Sequence, residues 1–213
     1  MKQLLLATSL ALALAACATP GTPGANTSNA DATSRIVAAQ KQEAQIIAYF
    51  ADSPEGGVYA EGPSEGGYFR KLLGRTKEGY YVVQDFYQDS GRKQSDPLIV
   101  THEAALKSFS NDYSDGWVVL YDTEGRLAEQ TQYRQGQPNG WAIAYQNGYR
   151  VSQGRYQNGK PHGEWTFWGD EGRRKEAIIG YQDGRQVSWK GWTLDETATP
   201  LTEEEVKAKY MQP

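Results

Sequence analysis

The chain has 213 residues, with 22 Lys and Arg against 26 Asp and Glu and a formal charge of −4. Without a basic excess its surface is not built to displace counterions from phosphates, which excludes general nucleic-acid binding. One Cys excludes a disulfide framework and a multi-cysteine metal site, while 23 Gly, 14 Tyr and 6 Trp beside 2 Met point to aromatic strands joined by turns, not to a helical bundle.

Met1-Lys2 is a short positive start, and Leu4 to Leu14 is an almost wholly apolar run. The run falls short of the ~20 apolar residues that cross a bilayer and reads as an export signal over residues 1–16. It closes on Leu14-Ala15-Ala16-Cys17, which resembles the bacterial lipoprotein box. That resemblance implies cleavage before Cys17, a thioether-linked diacylglycerol on its sulfur, and usually a further acyl chain, such as palmitate, on its amine. Several chains anchor a protein stably where one is marginal. Ala18, with no Asp in that place, is similar to the outer-membrane routing pattern of Gram-negative lipoproteins. Residues 17–32 are small, polar and turn-prone, and read as a lipidated flexible tether.

Residues 33–115 are expected to form a helix followed by an irregular β region. The helix is predicted over Thr33 to Asp52, capped by Thr33 or Ser34, with Ile36, Ala39, Glu43, Ile47 and Phe50 on one face and Ser53-Pro54 ending it. Glu55-Gly56-Gly57-Val58-Tyr59 is echoed by Glu65-Gly66-Gly67-Tyr68-Phe69, which predicts short strands with glycine turns. Tyr80 to Tyr87 reads as a longer strand, Leu98 to Thr101 as a short one, and Glu103 to Phe109 as a short helix.

From Gly116 to Leu194 the chain repeats. Gly116, Gly140 and Gly163 open three units, and Tyr121, Tyr145 and Trp168 each follow their glycine by five residues. Gly125, Gly148 and Gly172 come next, then Tyr133, Tyr156 and Tyr181, each three residues before Gly136, Gly159 and Gly184. The physical unit is a β-hairpin: an aromatic strand such as Trp141 to Tyr145, a tight turn such as Asn147-Gly148, and a return strand ending on tyrosine. Trp117, Val119 and Tyr121 alternate onto one face, as do Trp141, Ile143 and Tyr145. In the third unit Trp165 and Phe167 fall opposite Trp168, which predicts a sheet buried on both faces or covered by a terminal helix.

The stretch Tyr156-Gln-Asn158-Gly159-Lys-Pro-His162-Gly163-Glu-Trp165 resembles the MORN (membrane occupation and recognition nexus) repeat in its bacterial variant form. The Tyr, Asn-Gly and His-Gly positions match; Trp165 stands where the commoner form has a second glycine, and Asn139 replaces the histidine in the preceding unit. The resemblance, which covers about Gly116 to Trp192, implies an antiparallel hairpin-repeat sheet; with the N-terminal helix and a C-terminal helix read from the residues, the expected fold is mainly β (α+β). That last helix is expected within residues 195–213, where Thr202 and Glu205 form a capping box.

Little in the chain reads as catalytic chemistry. Gly62-Pro63-Ser64-Glu65-Gly66 fits G-x-S-x-G, but the nucleophile elbow needs a strand before the serine and a helix after it, and glycine turns stand there instead. His102 and His162 stand 60 residues apart with no thiolate nearby, so neither a zinc site nor a catalytic base is expected. His162 is expected to hydrogen-bond backbone in the repeat's own turn. Asp122, Glu124, Asp170 and Glu171 have the composition of hairpin turns. No catalytic residue, no metal and no cofactor are therefore expected.

The aromatic ladder has two readings: the filling of a thin sheet, or a platform of Trp and Tyr, the residues that dominate binding hot spots. The candidate surface is Trp117, Tyr121, Trp141, Tyr145, Trp165 and Trp168, with Cys17 as the lipidation site. The leading expectation is a non-catalytic outer-membrane lipoprotein whose repeat sheet binds or scaffolds a protein partner in the cell envelope, facing periplasm or exterior. Two rivals stand beside it: an immunity or antitoxin protein, since some MORN-variant proteins are labelled antitoxins, and a polysaccharide-binding or -processing protein.

Overall fold

The computed structural model describes residue 32, residues 34–54, 56–169 and 171–191, and residues 202, 204 and 205. Twelve strands follow one another: β1 (Gln40–Ala51), β2 (Val58–Ala60), β3 (Tyr68–Arg75), β4 (Tyr81–Tyr87), β5 (Leu98–Val100), β6 (Ser114–Tyr121), β7 (Leu127–Arg134), β8 (Gln137–Gln146), β9 (Tyr149–Gln157), β10 (Lys160–Gly169), β11 (Arg174–Gln182) and β12 (Arg185–Gly191). They form one antiparallel open sheet in the order β12 to β3, then β1, then β2. Almost every strand therefore pairs with its sequence neighbour. β5 joins the two halves, its Ile99 opposite Asp115 and its Val100 opposite Ser114.

The repeat half is built as its glycines suggest. Gln135-Gly136, Asn147-Gly148, Asn158-Gly159 and Asp183-Gly184, each the two residues between paired strands, place two successive residues at positive φ, near 50° and then between 76° and 82°. Two positive φ values in a row define the type I′ turn, whose twist matches that of the flanking strands. The turn glycines also tie each unit to an earlier one: Gly136 N–H donates to Ser114 O, Gly159 to Pro138 O and Gly184 to Pro161 O, at 2.9, 2.9 and 3.0 Å.

The predicted helix over residues 33–52 is not formed. Helical backbone is confined to a short stretch at 34–37, and Gln40–Ala51 is strand β1, paired with β2 on one side and β3 on the other. The misleading pattern has a physical source. The register slips between Ile46 and Ala48, so Ile47 and Phe50, three residues apart, both turn toward one face of the sheet. A β-bulge thus imitates helical spacing. At the other terminus the expected cap is made, since Thr202 N–H donates to Glu205 Oε2 at 2.7 Å and Glu205 N–H to Thr202 Oγ1 at 3.3 Å. The rest of the predicted C-terminal helix, like the signal, the tether and Cys17, lies outside the described residues.

Cross-strand register assigns side chains to two faces. The front face carries Val82, Ile99, Asp115, Trp117, Val119, Gln130, Ile143, Gln153, Thr166 and Ile178. The back face holds both buried clusters: Tyr81, Val83, Leu98, Val100 and Ala105 in the first half, and Ala142, Trp165, Phe167, Ala177, Ile179 and Tyr181 in the repeats. A 3₁₀ turn, Glu103–Lys107, and the loop after it cover the first of these, with Phe109 against Phe50 and Tyr68 at ring separations of 4.9 and 4.6 Å. Arg70 fixes that cover. It pairs with both oxygens of Asp85 at 2.7 Å and donates to the carbonyls of Ala105 and Ser108 at 2.8 and 2.9 Å.

Candidate functional site

The six candidate aromatics divide between the two faces. Five lie on the front. Trp117 is half-buried and lines a shallow pocket of about 360 Å³ with Ile36, Pro97, Val119 and Gln130. Tyr121 donates its hydroxyl to Asp96 Oδ2 at 3.0 Å, and Lys93 Nζ sits 3.8 Å from its ring centre. Tyr145 donates to Gln130 Oε1 at 3.0 Å. Trp141 is half-buried beneath the Arg155 guanidinium at 4.2 Å, and its backbone N–H donates to Gln132 Oε1 at 2.7 Å. Trp168, under Arg150 at 4.0 Å, is only 7% exposed.

Trp165 does not belong to that surface. It lies on the back at 9% exposure, edge-on to Tyr156 at 5.0 Å, with its indole N–H donating to Arg155 O at 3.1 Å. Its ring rests against Gly154, where any Cβ would overlap it. The ladder is thus divided: Trp165 fills the back of the sheet, while Trp117, Trp141, Tyr121 and Tyr145 stay half-exposed on the front.

Register explains how distant residues meet there. Trp141 stands opposite Arg155, Arg155 opposite His162, Gln153 opposite Thr166 and Trp168 opposite Lys175. The result is a groove of about 640 Å³ lined by Trp141, Arg150, Arg155, Glu164, Trp168 and Lys175 among others. Three cations face one carboxylate in a chain whose total charge is −4. Sequence reasoning missed these arginines because counting outward from Asn147-Gly148 sets Trp141 against Gly154; the slip between Ala144 and Tyr145 moves it to Arg155.

The back of the repeats has the opposite character. A smaller hollow of about 280 Å³ has Thr131, Ala142, Ala144 and Ser152 among its lining, with Tyr133, Tyr156, Trp165 and Glu129 around them. Burial, then the charge of Glu129, pushes the Tyr133 phenol up to about 12 and raises that of Tyr156. Both phenols stay protonated at neutral pH.

Ser64 sits in a turn between β2 and β3 with no helix after it, so the strand–elbow–helix context of a serine hydrolase is not built there. His102 Nδ1 meets Thr101 Oγ1 at 2.9 Å and its ring packs on Tyr113. His162 Nδ1, expected to bond backbone, is buried without a hydrogen-bond partner among the described residues. Among those residues no group of three His, Cys, Asp or Glu side chains converges as a metal site would require.

These features define a two-faced, open hairpin-repeat sheet with an aromatic and locally basic front. Comparison of the chain with protein-family models, with curated proteins and with solved structures finds no match in any of the three.

Proposed function

We propose that the chain is a non-catalytic interaction or scaffold lipoprotein of the cell envelope, whose front sheet face docks a partner protein. The observation that carries this reading is the row of half-exposed aromatics, Trp117, Tyr121, Trp141 and Tyr145, held on one face of the sheet by its strand register. Pre-ordered Trp and Tyr bury large area at low entropy cost, which makes such rows effective binding anchors. Their hydroxyls and ring faces are already fixed by Asp96, Gln130, Lys93 and Arg155, so little ordering remains to be done on binding. Outer-membrane anchoring rests on Leu14-Ala15-Ala16-Cys17 and Ala18, and the MORN-like unit on Tyr156 to Trp165.

The test is cross-linking in intact envelopes, comparing wild type with Trp117→Ala and Trp141→Ala. Loss of a defined adduct in both, with the variants folded, supports the reading; unchanged adducts refute it. Anchoring is tested separately: Cys17→Ser should lose incorporated palmitate and membrane fractionation, and retention of both would refute lipidation.

A further inference from the structure

We propose that the front groove between Trp141 and Trp168 binds an extended acidic segment of a partner protein, with Arg150 and Arg155 as its carboxylate receptors. This inference rests on the front face being the binding surface and adds the chemistry of what it takes. Elsewhere several arginines meet a carboxylate: Arg35 pairs with Asp115, Arg70 with Asp85 and Arg126 with Asp122, each at 2.7 Å, while Arg75 and Arg92 donate to the carbonyls of Gly79 and Thr123. Arg155 and Lys175 make no ion pair among the described residues, and Arg150 hydrogen-bonds only the neutral Gln153, at 2.9 Å. The groove therefore keeps its positive charge inside an acidic molecule.

Each arginine is also pre-positioned. Arg150 lies 4.0 Å over the Trp168 ring and Arg155 4.2 Å over that of Trp141. A guanidinium stacked on an aromatic plane keeps its edge donors pointed outward in a fixed fork, the geometry that grips a carboxylate with two parallel hydrogen bonds. With a guanidinium over each ring, the indoles here offer arginine rather than a bare plane to the ligand, which favours carboxylates over a neutral sugar. The two arginines are five positions apart on β9, but the bulge between Arg150 and Ser152 leaves four ladder steps and keeps both on the front face; at roughly 3.3 Å per step they stand about 13 Å apart. An extended polypeptide spans that length with about five residues. Gln153 and Thr166, paired across β9 and β10 between the two anchors, supply an amide and a hydroxyl to its main chain. Lys175 beside Trp168 adds a third cation at that end.

The experiment measures binding of a fluorescent decapeptide of alternating Glu and Gly to the full chain in detergent micelles. The variants are Arg150→Met/Arg155→Met and, as a control of equal charge change away from the groove, Lys77→Met/Arg134→Met. Circular dichroism checks the fold of each. The expected result is a tenfold or greater loss of affinity in the groove variant, none in the control, no binding of the Gln counterpart peptide, and wild-type affinity that weakens as salt is added. Equal binding by the groove variant, equal binding of the Gln peptide, or insensitivity to salt would each overturn the proposal. So would arginine-dependent binding of polygalacturonate without binding of the Glu peptide, which would make the ligand an acidic glycan. If Trp117→Ala abolishes the envelope adduct while the groove variant leaves peptide binding unchanged, the interface reading stands and only this inference falls.

Discussion

Removing one partner of the buried Arg70–Asp85 pair should be among the most damaging single changes in the first half of the chain. The two side chains are 3% and 4% exposed as residues, and both Asp85 oxygens are bonded by the guanidinium at 2.7 Å. Arg70→Met deletes those two charge-assisted bonds and the two to the carbonyls of Ala105 and Ser108, and strands a carboxylate away from water. Breaking a buried pair in this way costs about 3–5 kcal/mol, a large share of the roughly 5–15 kcal/mol that holds a domain folded. Arg70→Met/Asp85→Leu leaves no orphaned charge, and because Ala105 O still accepts from Ser108 N–H at 3.2 Å its remaining cost is mainly the Ser108 carbonyl, about 1–3 kcal/mol. Urea unfolding of wild type, Arg70→Met, Asp85→Leu and the double variant provides the assay, with stability read from midpoints at an unchanged slope. The double variant should be more stable than Arg70→Met alone. A single variant costing under about 1 kcal/mol, or a double variant equal to the sum of the singles, would refute the assigned role of this pair.

Gly154→Ala should destabilise the repeats by about 1–3 kcal/mol, because the added methyl overlaps the Trp165 ring; a neutral midpoint in urea would contradict that packing. Trp165→Ala should cost about 3–5 kcal/mol as a core truncation, and Trp117→Ala far less; equal losses would mean that the front and back tryptophans are not distinguished as described. In alkaline titration Tyr133 should ionise near 12, above the ordinary tyrosine value of 10.0, chiefly because it is buried. The sign follows from linkage: the unfolded phenol loses its proton first, so this tyrosine's contribution is intact below pH 10 and is lost as pH rises from 10 towards 12. Phenolate absorbance of the folded protein that rises fully around pH 10 would contradict the burial.

What the sequence made legible was whatever is encoded locally. Glycine after Asn147, Asn158 or Asp183 specifies positive φ, and these turns fall where the repeat spacing puts them. Alternation likewise separated Trp165 and Phe167 from Trp168 onto opposite faces. Long-range register was not legible. The helix expected over residues 33–52 became β1 because pairing with β2 and β3 outweighed a helical pattern that one bulge imitates. The basic groove was hidden for the same reason, since a one-residue slip brings Arg155 opposite Trp141. The Arg70–Asp85 contact joins neighbouring strands β3 and β4, but its burial depends on a turn more than thirty residues further on, which no local pattern announces.

If a partner docks on the front face of the sheet, β7 offers a direct comparison. Gln130 and Glu129 are adjacent in the chain but lie on opposite faces, Gln130 opposite Val119 and Ile143, Glu129 opposite Leu120 and Ala144. A photo-crosslinking amino acid placed at either position and activated in intact envelopes reads out which face meets a partner. Docking on the front face gives an adduct from position 130 and little or none from 129. Equal or stronger cross-linking from 129 would contradict it.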